Sequence, residues 1–271
     1  MRRVLIILLA FSLFLSGCNS PFVWSNSTVT ERNMTEFEDW TIPNFFIPIK
    51  IRVVGLGDSL TQGVGDELKK DGYFGRITAE MINWKGVKDV EADNLAKRGR
   101  RSDQLITQLE DVNVQEFVKE ADIILITIGG NDIMKVVREN LFNLQKKPFY
   151  DELKLYENRL DELYGVIRAL NGDAVIFLAG LYNPLLMVTD EANEFEDILE
   201  DWNKAIEVRT VLDSKSCFVP VTDLFDSNAA MVYHTDFFHP NSKGYEWMTT
   251  RFLDKIEECD LRELSDGELD M

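Results

Sequence analysis

Histidine and cysteine are scarce in this 271-residue chain, which has two of the first and three of the second. Two imidazoles exclude a multi-histidine metal centre, and three thiols allow one disulfide at most, so the chain is no cysteine-stapled scaffold. Any reaction that needs an imidazole base must use His234 or His239. Positive charge is also short, with 29 Lys and Arg against 47 Asp and Glu and a formal net charge of −18. Nucleic-acid binding relies on clustered cations that neutralise phosphates, and this balance argues against it. Apolar residues are plentiful at 45%, with 11% aromatic. That is enough for a buried core and too much for a disordered chain.

The chain starts with a segment of a different kind. Arg2 and Arg3 precede an apolar run, Val4 to Leu15, which ends in Leu15-Ser16-Gly17-Cys18. A charged start, about a dozen apolar residues and a small-residue exit predict a secretory signal over residues 1–17. The run is short for a ~30 Å hydrocarbon core. The residues around Cys18 resemble the lipobox of bacterial lipoproteins. That resemblance implies a diacylglycerol thioether on Cys18, cleavage just before it, and a chain anchored on the extracytoplasmic face of the cell membrane. Residues 18–46 carry Ser, Thr, Asn and Pro without a helical or strand period and read as a tether. Asn26-Ser27-Thr28 and Asn33-Met34-Thr35 fit the N-glycosylation pattern and, in a bacterial lipoprotein, count as chance matches. Cys217 and Cys259 are then left for the folded part, as a disulfide or as two buried thiols; both readings stand.

Beyond the tether, strand and helix patterns alternate. Strands are expected at Ile49–Leu56, Val87–Leu95, Ile123–Ile128, Ala174–Leu178 and Cys217–Val219. Helices are expected at Gly72–Trp84, Ser102–Leu109, Tyr150–Leu170, Asp190–Leu212 and Ser242–Cys259. Near-continuous apolar strands separated by helices imply a five-stranded parallel sheet covered on both faces, a three-layer α/β/α fold. One domain over residues 47–260 is expected, followed by a frayed acidic tail, 261–271.

In such sheets ligands bind beyond the carboxyl ends of the strands, and the polar interruptions fall there. Gly57-Asp58-Ser59-Leu60 follows the first strand, and Asn94 to Gly99 the second. Gly129-Gly130-Asn131-Asp132 follows the third, and Asp236-Phe237-Phe238-His239 stands near the end. Taken singly, each is an ordinary helix cap, turn or surface pair. Taken together and in this order, they resemble the four blocks of the SGNH hydrolases, the GDSL esterases and lipases, over roughly Ile51 to Phe252. The resemblance implies the flavodoxin-like SGNH fold, Ser59 as nucleophile, Gly99 and Asn131 as oxyanion donors, and Asp236 and His239 as acid and base. It also implies an acyl-enzyme and no metal or organic cofactor. Many members carry glycine five or three residues before the position of Gly99, where this chain has Asn94 and Ala96.

Elementary chemistry agrees with those roles. A serine hydroxyl attacks an ester only when a base takes its proton, and imidazole titrates in the right range. A carboxylate on the other ring nitrogen sets the tautomer, and preset N–H donors stabilise the oxyanion. The ordinary α/β-hydrolase elbow, G-x-S-x-G, fits less well because Thr61 occupies its last position. His234 lacks a partner motif and reads as a rim residue. Segments Ile133–Tyr150 and Leu181–Glu196 are expected to line the pocket, with Leu181, Tyr182, Pro184, Leu185, Leu186 and Met187 available for an acyl chain. Expected substrates are small esters, lipids or acetylated glycans, and the acidic surface favours a neutral one. The competing reading is a surface lipoprotein that keeps this fold and binds glycan or lipid without turnover.

Overall fold

In the computed structural model, which describes residues 47–140, 145–183, 195–226 and 229–270, five strands form one all-parallel sheet. The strands are β1 (Ile49–Gly57), β2 (Val87–Asn94), β3 (Ile123–Thr127), β4 (Val175–Ala179) and β5 (Ser216–Val219). Their order, β2-β1-β3-β4-β5, is the flavodoxin-like one, with the direction of winding reversing between β1 and β3. Val53 pairs with Ile123, and Gly57 with Thr127, so the two strands end level with each other. The signal segment, Cys18, the tether with both glycosylation patterns, and Pro184 to Met187 lie outside the described residues.

Strand side chains alternate in direction, and here both directions are apolar. Val54, Leu56, Ile124, Ile126, Ile176 and Leu178 pack into one layer. Ile51, Val53, Ile123, Leu125, Val175 and Phe177 pack into the other. The first layer is closed by α3 (Ser102–Gln108), α4 (Val112–Lys119), α5 (Gly130–Glu139), α6 (Lys146–Leu170) and α7 (Glu196–Val211). Against the second lie α1 (Ser59–Gln62), α2 (Gly72–Met81), α8 (Thr222–Asp226), α9 (Ala229–Val232), α10 (Ser242–Glu258) and α11 (Leu261–Leu264). Among the described residues no helix is long and apolar enough to cross a membrane.

Five features differ from the sequence expectation or resolve it. α5 begins inside Gly129-Gly130-Asn131-Asp132, because those turn residues are also a helix start. α4 is a helix of only eight residues, too short for a clear period. α6 starts at Lys146, four residues early, since Pro148 falls in its first turn, where no intrahelical N–H is needed. The tail is not frayed. Leu261, Leu264 and Leu269 are buried against the second layer, each worth roughly 1.5–3 kcal/mol of burial. The acidic residues between them hid that apolar spacing. Cys217 on β5 and Cys259 at the end of α10 form a disulfide that holds this same corner.

Candidate active site

β1 ends on Gly57 at φ +108, where a Cβ would lie 1.9 Å from the Thr127 carbonyl oxygen. Only glycine lets β1 leave the sheet so close to β3. The next N–H, of Asp58, donates to that same carbonyl at 3.0 Å. Asp58 then caps α1, its Oδ1 accepting the Leu60 N–H at 3.0 Å. Ser59 is therefore the first residue of a helix that begins at the carboxyl end of the sheet, beside the winding reversal.

Beneath Ser59 lies a chain of hydroxyls with one possible direction. Thr127 Oγ1 donates to Asp58 Oδ1 at 2.7 Å, which uses its only proton. Thr61 Oγ1 must then donate to Thr127 at 2.8 Å, and Tyr73 Oη to Thr61 at 2.7 Å. Asp58 terminates this chain as an acceptor. Burial pushes its carboxyl up to about 7, against the pull of Thr127, the Leu60 N–H and Arg100. Nearby Asp132 pushes it further up.

The loop after β2 is tied to the nucleophile turn at several points. Leu95 N–H donates to Gly55 O at 2.8 Å and Lys97 N–H to Gly57 O at 3.0 Å. Arg98 N–H reaches Gln62 Oε1 at 2.6 Å. Asn94, at one of the positions where glycine is common, bonds Thr61 O through Nδ2 at 2.7 Å and accepts from the Ala96 N–H at 3.2 Å. Gly99 is exposed at φ +79, with open space where a Cβ would be. Asn131, in the first turn of α5, donates from Nδ2 to Arg100 O at 3.0 Å, which joins it to the Gly99 loop. Asp132 accepts from Ser102 Oγ at 2.6 Å and so links the starts of α5 and α3.

The histidine loop is braced from outside. Asn241 caps α10 by accepting from Lys243 and Gly244, while its Nδ2 donates to Met231 O and Tyr233 O. His234 N–H donates to His239 O at 2.8 Å, leaving His234 half-exposed in the same loop. Within it, Asp236 Oδ2 lies 2.5 Å from His239 Nδ1, and Asp236 Oδ1 accepts the His239 N–H at 2.9 Å. Burial pushes Asp236 up, but the donors of His239 and Phe238 outweigh it and hold the carboxyl at about 2. For His239 burial wins over its carboxylate and lowers the ring below its ordinary 6.5, so it is neutral at pH 7. The loop after α1 is joined to the same region. Ser242 Oγ donates to the buried Asp66 at 2.7 Å, and Tyr245 Oη to Val64 O at 2.7 Å.

A cleft is lined by Ser59 and Asn131 together with Asp58, Leu60, Thr127, Gly130, Ile133, Gly180, Leu181, Tyr182 and Phe238. Gly99, Asp236 and His239 do not line it, although Phe238 immediately precedes His239, and Tyr182 Oη donates to its carbonyl at 2.7 Å. Ile133, Leu181 and Tyr182 fall in the segments expected to line a pocket. Thr127 and Phe238 were missed. The signal for Thr127 was a lone hydroxyl inside a buried apolar strand; for Phe238 there was none. Among the described residues no cluster of acidic, cysteine or histidine side chains is arranged to hold a metal ion.

Residues 56–247, which span all of these segments, match the GDSL-like lipase/acylhydrolase family model. The chain belongs to that family. This GDSL family member is 41% identical over 157 residues to the uncharacterised protein YpmR of Bacillus subtilis, covering 58% of this chain and 61% of YpmR. It is 28% identical over 141 residues to the spore germination lipase LipC of Bacillus licheniformis, covering 49% of this chain and 65% of that protein. The aligned part thus spans less than two thirds of either relative. In fold it is similar to the lipase Lip_vut3 from a goat rumen metagenome, with TM-score 0.66 and 24% identity over 76% of this chain and 97% of that one.

Proposed function

We propose that this GDSL family member is an extracytoplasmic serine esterase that hydrolyses carboxylic esters through an acyl-enzyme. The observation that carries the reading is the 2.5 Å Asp236–His239 pair, set next to a cleft that holds Ser59 and Asn131. The neutral His239 takes the Ser59 proton through Nε2 as Oγ attacks the acyl carbonyl. Asp236 accepts at Nδ1 and stabilises the imidazolium that forms. The oxyanion meets the N–H groups of Ser59 and Gly99 and the second amide hydrogen of Asn131, whose first is already held by Arg100 O. Each such donor is worth roughly 3–4 kcal/mol of barrier. His239 then returns its proton to the leaving alcohol, and a water repeats the sequence on the acyl-enzyme.

The cleft wall is mostly apolar, with Leu60, Ile133, Leu181, Tyr182 and Phe238 facing the space an acyl chain would occupy. Two features support the extracytoplasmic location: the lipobox-like sequence at Cys18, and the disulfide, a bond that persists in oxidising compartments. Hydrolysis of p-nitrophenyl acetate and butyrate tests the proposal. The wild-type protein should turn both over, and Ser59→Ala should lower the rate by at least about a thousandfold. Equal, slow rates for the two proteins would instead indicate a binding protein of the same fold.

A further inference from the structure

Asp66 has no part in the reaction described above, yet its side chain is fully buried. A carboxylate shut away from water needs donors on both oxygens, and Asp66 has five. Oδ2 accepts the N–H groups of Lys70 and Gly72 at 3.0 and 3.1 Å. Arg76 on α2 forks onto both oxygens, at 2.5 Å to Oδ2 and 2.9 Å to Oδ1. The fifth donor is Ser242 Oγ, 2.7 Å from Oδ1. Burial pushes the carboxyl up, but Arg76, Ser242 and the Gly72 N–H outweigh it and hold it well below the usual carboxylate range. Four donors come from the adjoining turn and helix. The fifth comes from 176 positions further along the chain, three residues past His239.

That bond closes a turn which begins at the nucleophile. Gly63 ends α1 at φ +81. Val64 donates its N–H to Ser59 O at 3.0 Å, and its own carbonyl accepts Tyr245 Oη at 2.7 Å. Gly65 follows at φ +95, where a Cβ would lie 2.4 Å from Pro240 O and 3.2 Å from the Cβ atoms of His239 and His234. The Gly65 backbone therefore lies directly against the histidine loop, with no side chain between. Beyond Asp66, Glu67 accepts the Ser242 N–H at 2.8 Å, and Leu68 N–H donates to Ser242 Oγ at 3.0 Å. The braces from Tyr182 and Asn241 hold the histidine loop to the residues after β4 and around α9. The turn from Val64 to Leu68 holds it to the segment that carries Ser59.

We propose that Asp66 is a positioning residue: through Ser242 it draws the histidine loop onto the Gly65 backbone and so fixes His239 within reach of Ser59. The inference rests on the esterase reading above. Asp66 lies outside the cleft lining and acts on distance alone. Proton transfer between nucleophile and base depends steeply on their separation, and a displacement of about 1 Å costs about a hundredfold. Asp236 does not set that separation, because its bonds to His239 lie within one loop and move with it. Glycine at position 65 fits the same role, since any side chain there would push the two segments apart.

The test uses two esters that share an acyl group. In p-nitrophenyl butyrate the leaving group departs without a proton, so acylation needs His239 only to deprotonate Ser59. In ethyl butyrate the same ring must also hand that proton to the departing alcohol. A displaced His239 therefore slows ethyl butyrate more, whereas partial misfolding lowers both rates by one factor. Asp66→Asn should lower kcat/KM about a hundredfold for ethyl butyrate and about tenfold for p-nitrophenyl butyrate. Ser242→Ala leaves Asp66 its four local donors and so preserves the fold. It should shift the ratio of the two rates in the same direction by about threefold, and Ser242→Thr, which keeps the hydroxyl, should restore it. An unchanged ratio in Ser242→Ala, whatever the individual rates, overturns the positioning role. Hydrolysis of neither ester by the wild-type protein would overturn the esterase reading itself.

Discussion

Burial and a carboxylate pull the His239 ring in opposite directions. Desolvation disfavours the imidazolium and Asp236 favours it, and the net result is a ring titrating below 6.5. Asp236 stays ionised down to about pH 2, so it remains an acceptor through the working range. The sign of the pH dependence follows. The base is lost as His239 protonates, so kcat/KM for a neutral ester should fall on the acid side with a midpoint below pH 6.5. A midpoint above 6.5 would mean that Asp236 outweighs burial at the ring, or that Asp58, pushed up to about 7 beside Ser59, is the group that titrates. Ser59, Gly99, Asn131, Asp236 and His239 were all named from sequence because short motifs carry them. The hydroxyl chain under Ser59 was not legible, since Thr127, Thr61 and Tyr73 meet only when β1 and β3 end level. Nor was the role of Asn94, which replaces a glycine but ties its loop to Thr61.

At the scale of elements, β1, β3 and β4 were readable from their buried apolar runs, whereas the edge strands β2 and β5 carry weaker, partly exposed patterns. Long helices were readable from their apolar stripes. What was missed had mixed signals. α5 begins in residues that favour turns, and α11 alternates acidic side chains with leucines. The C-terminal segment provides a direct check on packing. Leu264→Ala should cost about 2–4 kcal/mol of unfolding free energy, measured by urea denaturation with the Cys217–Cys259 bond intact. A frayed tail would give a change near zero.

For the whole molecule, the sheet order decides where chemistry sits. Winding reverses between β1 and β3, and Ser59 and Asn131 follow those two strands, so the cleft opens at the switch point. That placement was foreseeable from strand-helix alternation and from polar residues at strand ends. The proposed anchoring belongs to this scale too. Cys18→Ser should release the protein from the membrane fraction into the medium; retention equal to that of the wild type would count against lipidation.

The central claim is that Ser59 is a nucleophile activated by His239. Intact-mass analysis after treatment with a fluorophosphonate measures this most directly. The account predicts one adduct per chain, located on Ser59 by peptide mapping and absent in Ser59→Ala and His239→Ala. No adduct on the folded wild-type protein, or an adduct that persists in Ser59→Ala, would contradict it.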